Sequence, residues 1–389
     1  MPEGRTLILV LGMHRSGTSV LTRVLNLLGA DVGTNLLQAQ PDINARGFWE
    51  HEELIAINEA LLGVLERNWY DFRPLPERWW SGERFAGLRD QAAAFLKTAF
   101  ADDASLAVVK DPRLCLLLPF WTETARLAGW RPVAILATRA PWEVSASLCR
   151  RDPLSATSAN LLWLRYIRDS EKASRDLPRS RVDYAALLAD WKTLLVQTGR
   201  ELAVVWPHAV EEAAEAVAAE IDPGLRHQRV EPKGMKGQPE NMAEQAYHLL
   251  QAEKLNETAL DEIWLEFEGL FHRCPALVSG LEETGRRLFS VTKELQTLGG
   301  KHRQALDVVA EKDRQMKRLA GELEHAVSVV KERDEQLAYA QGIVEERDNQ
   351  LQRMASELEH AGRIVEQRDA QLNHPVVKVV RKLFFLDKK

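Results

Sequence analysis

Cysteine is scarce in this chain: Cys115, Cys149 and Cys274 are the only three in 389 residues, and none forms a C-x-x-C pair. That excludes a sequence-local zinc site and a disulfide framework, and it fits a reducing compartment, so a cytoplasmic protein is expected. Long apolar runs are also missing, with none near the roughly 20 residues of a membrane-spanning helix. The run at residues 7–11 is shorter than a signal-peptide core and leads into a glycine loop without a small-residue cleavage site, so it reads as a strand. Nor is there an excess of positive charge. A formal net charge of −6 argues against a nucleic-acid partner held by bulk electrostatics and leaves any phosphate chemistry to a local basic site. Finally, residues 301–373 contain no proline, which permits one long helix.

What is present is ordinary for a globular protein, with 45% apolar and 28% charged residues. Residues 6–11 are continuously apolar, as in a strand covered on both faces, and a glycine loop and a helical pattern at residues 19–28 follow. Further strands are expected at residues 106–109 and 132–137, and another near Val182, with helical patterns at 51–65, 85–100, 142–148 and 185–195. Strands alternating with helices predict an α/β fold, a parallel sheet flanked by helices. Helical segments continue to about residue 298, interrupted by a turn-rich stretch at residues 222–239. The expected division is an α/β domain over 1–298, a coiled-coil tail over 299–373 and a basic amphipathic end over 374–389.

The tail is a heptad repeat. Val309, Met316, Leu323, Val330, Leu337, Val344, Leu351, Leu358, Val365 and Leu372 follow one another at intervals of seven. That period implies a left-handed supercoil and a homodimer. The companion seam is mixed, since Leu319, Ala326, Ala340, Met354 and Ala361 alternate with Lys312, Arg333, Arg347 and Arg368. A solvated single helix is the alternative. The final residues carry Lys378, Arg381, Lys382, Lys388 and Lys389 among apolar ones, a composition able to touch an anionic membrane surface.

The loop Gly12-Met13-His14-Arg15-Ser16-Gly17-Thr18-Ser19 has the spacing of an anion nest between a strand and a helix. It has the glycine spacing of a Walker A loop, but Thr18 stands where the phosphate-binding lysine would be. The basic residue lies earlier, at Arg15, which suits a ligand presenting a 5′-phosphate with a leaving group. Further on, Arg139 ends an expected strand and Ser147 follows eight residues later, about two helical turns on. A strand-end guanidinium and that serine can meet the same phosphate.

Together these segments resemble the sulfotransferases that use 3′-phosphoadenosine-5′-phosphosulfate (PAPS). Arg15-Ser16-Gly17-Thr18-Ser19 matches their 5′-phosphosulfate loop, and Arg139 with Ser147 matches their 3′-phosphate site. The opening, with Asn44 and Gly47-Phe48-Trp49-Glu50, is similar to bacterial sulfotransferase-family proteins in particular. Lys233-Gly234-Met235-Lys236-Gly237 resembles the segment that closes over the 3′-phosphate in cytosolic members. The resemblance covers roughly residues 6–191 and implies a P-loop-like fold. It also implies PAPS as co-substrate, adenosine 3′,5′-bisphosphate as product, no metal, and a hydroxyl acceptor, best guessed as a carbohydrate or glycolipid.

Arg15 matches the family's catalytic lysine, but a guanidinium stabilises charge without donating its proton. The base is open. The histidine that cytosolic members place after the second strand is absent from Lys110-Asp111-Pro112-Arg113. Glu50 is the first candidate, Asp111 and His51 the others. Two other classes of function compete: a P-loop nucleotide kinase or NTPase, and a non-catalytic nucleotide-binding scaffold assembled through the tail. Trp49, Trp69, Tyr70, Trp79, Trp80 and Trp121 are either sugar-stacking surfaces or core residues.

Overall fold

The computed structural model describes residues 4–38, 47–152, 154–221, 237–273, 290–291, 294, 298–299 and 326–371. The chain divides into two units, Met1–Glu294 and Leu295–Lys389. Asn44, Lys233, Gly234, the expected turns at 222–236, the start of the tail and its basic end lie outside the described residues.

β1 (Thr6–Leu11) is buried along its whole length, with Leu7, Leu9 and Leu11 in one core layer and Ile8 and Val10 in another. A strand apolar at every position is what a sheet covered on both faces requires. β2 (Leu106–Lys110), β3 (Arg131–Thr138) and β4 (Arg179–Asp183) complete a four-stranded sheet of order β2-β1-β3-β4, parallel throughout. Parallel neighbours need crossover connections, and helices supply them.

In chain order the helices of this unit begin with α1 (Thr18–Leu27), α2 (Glu52–Val64), α3 (Ala86–Thr98), α4 (Leu114–Leu127) and α5 (Pro141–Arg151). They continue with α6 (Ala156–Ala173), α7 (Tyr184–Leu202), α8 (Ala214–Glu220), α9 (Gln238–Gln251) and α10 (Glu257–Arg273). Leu21, Leu25, Leu187, Leu195 and Val217 bring α1, α7 and α8 onto one face. The larger core on the other face takes Ile57, Phe95, Trp121, Val144, Trp163 and Phe267 from α2, α3, α4, α5, α6 and α10.

The strand order reverses at β1: the chain goes from β1 to β2 on one side, then crosses to β3 on the other. The helix after β1 therefore lies on one face and the helix after β3 on the opposite face. The carboxyl ends of β1 and β3 are thus the switch point of the sheet, the place where open parallel sheets hold ligands.

Most expected elements are present with ends shifted by a few residues. The largest difference is α7, which runs on to Leu202 and bends at Asp190, where the backbone leaves helical geometry and the Asp190 carboxylate accepts from Thr193 N at 3.2 Å. Pro239, expected in a turn, instead lies in the first turn of α9, where its missing N–H costs nothing. In the second unit, α11 (Ala326–Gln371) is continuous helix across the described heptads.

Candidate functional site

The loop from β1 to α1 has backbone geometry that few other residues would permit. Gly17 is left-handed at φ 83°, and a Cβ there would overlap the Tyr184 ring. At Gly12 a Cβ would come within 2.8 Å of the Ala137 carbonyl. Gly17→Ala should therefore lower stability by at least about 2 kcal/mol, through a clash added to an unfavourable φ. Thermal unfolding measures this, and an unchanged midpoint would show that the loop does not hold this conformation in solution.

Arg15 is also left-handed, at φ 70°, which costs a non-glycine residue about 1–2 kcal/mol. Strain of that kind persists only where the surroundings enforce it. Here Ser16 N donates back to Met13 O at 3.1 Å, and the Arg139 guanidinium donates from Nη1 to Arg15 O at 3.1 Å. Underneath, Gly12 N donates to Cys115 Sγ at 3.0 Å, and burial pushes that thiol up to about 12, so it stays protonated and inert. The N-terminus of α1 has no side-chain cap and no acid in its first turn. Thr18 is buried against Gly12, and Ser16 Oγ is buried with no partner among the described residues. Uncapped helix N–H groups beside an orphaned buried hydroxyl fit an anion.

The second motif meets the first here. Arg15 Nε donates to Ser147 Oγ at 2.9 Å across 132 residues of sequence. Arg139 Nε donates to Glu143 Oε2 at 2.8 Å, its guanidinium lies 4.7 Å above the Tyr184 ring, and its Nη2 is buried without a partner among the described residues. An arginine fixed on its other sides with one buried donor open is prepared for an oxyanion. Burial, with Arg151 and Arg139 nearby, holds the Arg15 guanidinium below its ordinary value. A dianionic ligand would relieve that repulsion.

The three candidate bases occupy different surroundings. Glu50 is buried beside Lys110, whose Nζ donates to Glu50 Oε1 at 2.5 Å, to Phe48 O at 2.9 Å and to Ser19 Oγ at 3.2 Å. Through Ser19, in the first turn of α1, this ion pair adjoins the anion loop. Burial pushes the Glu50 carboxyl up, and the Lys110 ammonium opposes that shift only in part. Asp111 is fully buried; it accepts from Asn58 Nδ2, Arg113 N and Arg113 Nη1, each at 2.9 Å. Those bonds make it a brace for the turn after β2. His51 follows Glu50 in extended backbone, so the two side chains diverge, and its ring packs edge-on against Phe95 at 4.8 Å. Burial lowers its pKa.

Sequence reasoning missed Lys110, Glu143, Tyr184 and His14. Lys110 was detectable as a lysine ending a buried strand, but its pairing with Glu50 spans a distance no motif encodes. The His14 ring lies 4.7 Å from Trp69, with Nε2 buried and unpartnered among the described residues. Burial, then Arg113, Arg151, Lys110 and Arg15, hold it well below its usual range and therefore neutral. Of the aromatics, Trp121 is core, donating from Nε1 to Asn58 Oδ1 at 2.7 Å, and Trp79 stacks on Phe120. Trp69 and Trp49 border the site, but Arg151 lies 5.2 Å from the first ring and Arg23 4.8 Å from the second. No cluster of metal-ligating side chains is present among the described residues.

No protein-family model and no curated protein matches the chain. Among solved structures, it is similar to the sulfotransferase domain of the Synechococcus PCC 7002 olefin synthase, at 15% identity and TM-score 0.35, over 70% of this chain and 97% of that one. It is also similar to the sulfotransferase domain of the curacin biosynthetic pathway, at 16% identity and TM-score 0.33, over 67% of this chain and 97% of that one. A Mycobacterium avium sulfotransferase is similar at 14% identity and TM-score 0.33, over 70% of this chain and 78% of that one.

Proposed function

We propose that the chain is a sulfotransferase that binds PAPS at the carboxyl ends of β1 and β3 and transfers its sulfuryl group to a hydroxyl, on a carbohydrate or glycolipid. One observation carries the reading. The glycine loop and the strand-end arginine converge through Arg15, Ser147 and Arg139, leaving Ser16 Oγ and Arg139 Nη2 as buried donors without a protein partner among the described residues. The loop would take the 5′-phosphosulfate and Arg139 with Ser147 the 3′-phosphate. A nucleoside triphosphate fits less well. Thr18 replaces the lysine that would reach its outer phosphates, and the oxygens of Asp111 are already engaged.

In the reaction, the acceptor oxygen attacks sulfur as the bond from sulfur to the bridging oxygen breaks. Adenosine 3′,5′-bisphosphate departs with the electron pair, and the acceptor proton passes to a base. Arg15 would stabilise charge growing on the bridging oxygen. Glu50 is the base this geometry favours, because its carboxylate adjoins the loop while three donors already hold Asp111 and His51 turns away. The chain would act in the cytoplasm. Among the described residues no helix is long and apolar enough to cross a membrane.

Thermal shift tests the reading. Stabilisation by adenosine 3′,5′-bisphosphate without magnesium is expected, and magnesium-dependent stabilisation by ATP alone would favour a kinase or NTPase. Turnover of labelled PAPS separates an enzyme from a nucleotide-binding scaffold. Glu50→Gln should keep bisphosphate affinity within about twofold and lose about 10²–10⁴ in turnover. The carboxylate is the working form and burial raises its pKa, so activity should fall with decreasing pH from a point above the ordinary glutamate range. Lys110→Met should move that acid limb higher still. A limb that does not move in Lys110→Met places the base elsewhere.

A further inference from the structure

The geometry of the tail points to a partner and an orientation: we infer that α11 pairs with α11 of a second copy of this chain, parallel and in register. Val330, Leu337, Val344, Leu351, Leu358 and Val365 form one stripe along the helix. Leu351 is 52% exposed and Leu358 73% exposed, so this part of the stripe faces water in the single chain. An apolar line of that length is buried when a matching line packs on it.

The charges beside the stripe select the occupant. Three Arg-Asp steps recur in the described helix, Arg333-Asp334, Arg347-Asp348 and Arg368-Asp369, each three and four residues beyond a stripe residue. On a helix, residue +3 lies about 60° to one side of the stripe and residue +4 about 40° to the other. The stripe therefore has an arginine flank and an aspartate flank. Two parallel helices related by a two-fold axis set the arginine flank of one against the aspartate flank of the other. An antiparallel pair sets like flanks together, arginine against arginine. A second copy in parallel register thus satisfies every step on both sides, whereas an unrelated partner would need the same flanking pattern in the same heptad phase.

The test uses the full-length chain. At tens of micromolar it should sediment at twice its 44.0 kDa. Replacing Arg333, Arg347 and Arg368 with Glu makes both flanks acidic, and replacing Asp334, Asp348 and Asp369 with Lys makes both basic. Each variant alone should sediment as a monomer, and an equimolar mixture should recover the dimer. That recovery excludes simple misfolding of either variant. Orientation is read from Leu351→Cys and Leu358→Cys, made singly. Both should form a disulfide-linked dimer under mild oxidation that the parent chain does not, because an antiparallel pair can set at most one of the two positions against its own copy. A monomeric parent chain overturns the inference, as does a dimer indifferent to the charge changes, or one in which only one cysteine cross-links.

Discussion

Arg139→Ala should weaken binding of adenosine 3′,5′-bisphosphate by roughly 30- to 1000-fold, the equivalent of about 2–4 kcal/mol for a desolvated arginine–phosphate contact. The size follows from how the side chain is held. Glu143 fixes Nε, the Arg15 carbonyl fixes Nη1 and the Tyr184 ring lies beneath, so little conformational entropy remains to be lost on binding. The buried Nη2 has no protein partner among the described residues, and a phosphate oxygen would satisfy it. Because the same guanidinium anchors the strained loop, the variant should also unfold at a lower temperature, and binding must be read where it is still folded. Ser147→Ala is the control, costing about 1 kcal/mol and leaving the loop anchor in place. Calorimetry on both decides the matter. Unchanged affinity in a folded Arg139→Ala protein would remove the 3′-phosphate assignment and the functional reading with it.

The second large effect is expected in turnover. Arg15→Ala should lower turnover by about 10²–10³-fold, the usual loss when one preorganised stabiliser of developing charge is removed. Its effect on bisphosphate affinity should be much smaller. Arg15 Nε is directed to Ser147 Oγ, a side chain assigned to the 3′-phosphate. Ligand must displace that contact, and deleting the side chain removes an attraction and a competitor together. A variant that loses affinity and turnover by equal factors would mean that Arg15 acts in uniform binding. Arg15→Lys keeps the charge without the planar fork, so it should retain part of the turnover if charge is what matters. Pre-steady-state turnover of labelled PAPS measures the chemical step directly.

Several features were legible in the sequence because they are local. The continuous apolar run of β1 marked a strand covered on both faces, and the glycine spacing marked the loop after it. The contact of Arg15 with Ser147, 132 residues apart, was not among the expectations; it follows from two motifs at the carboxyl ends of neighbouring parallel strands. The seven-residue stripe foretold a long helix, and α11 is continuous across its described part. Less legible was the course of α7, because the bend at Asp190 depends on one aspartate accepting from a backbone N–H just beyond it, which no periodicity reports.

Glu50 already stood ahead of Asp111 and His51 in the sequence, but the surroundings of the three were set by tertiary structure. They differ because Lys110, 60 residues away, meets Glu50; because Asn58 and Arg113 use up Asp111; and because alternation along an extended segment sends His51 to Phe95. The same holds for Tyr184, whose role exists only once β3 and β4 lie side by side and bring Arg139 over the ring; Glu143, four residues beyond Arg139, is a local partner. Sequence alone thus determined which backbone segments present donors, since strand burial, glycine geometry and helix starts are properties of neighbours in the chain. Which side chains remain free to act was set by partners distant in sequence, because hydrogen-bond saturation and burial depend on what the fold brings within about 3 Å.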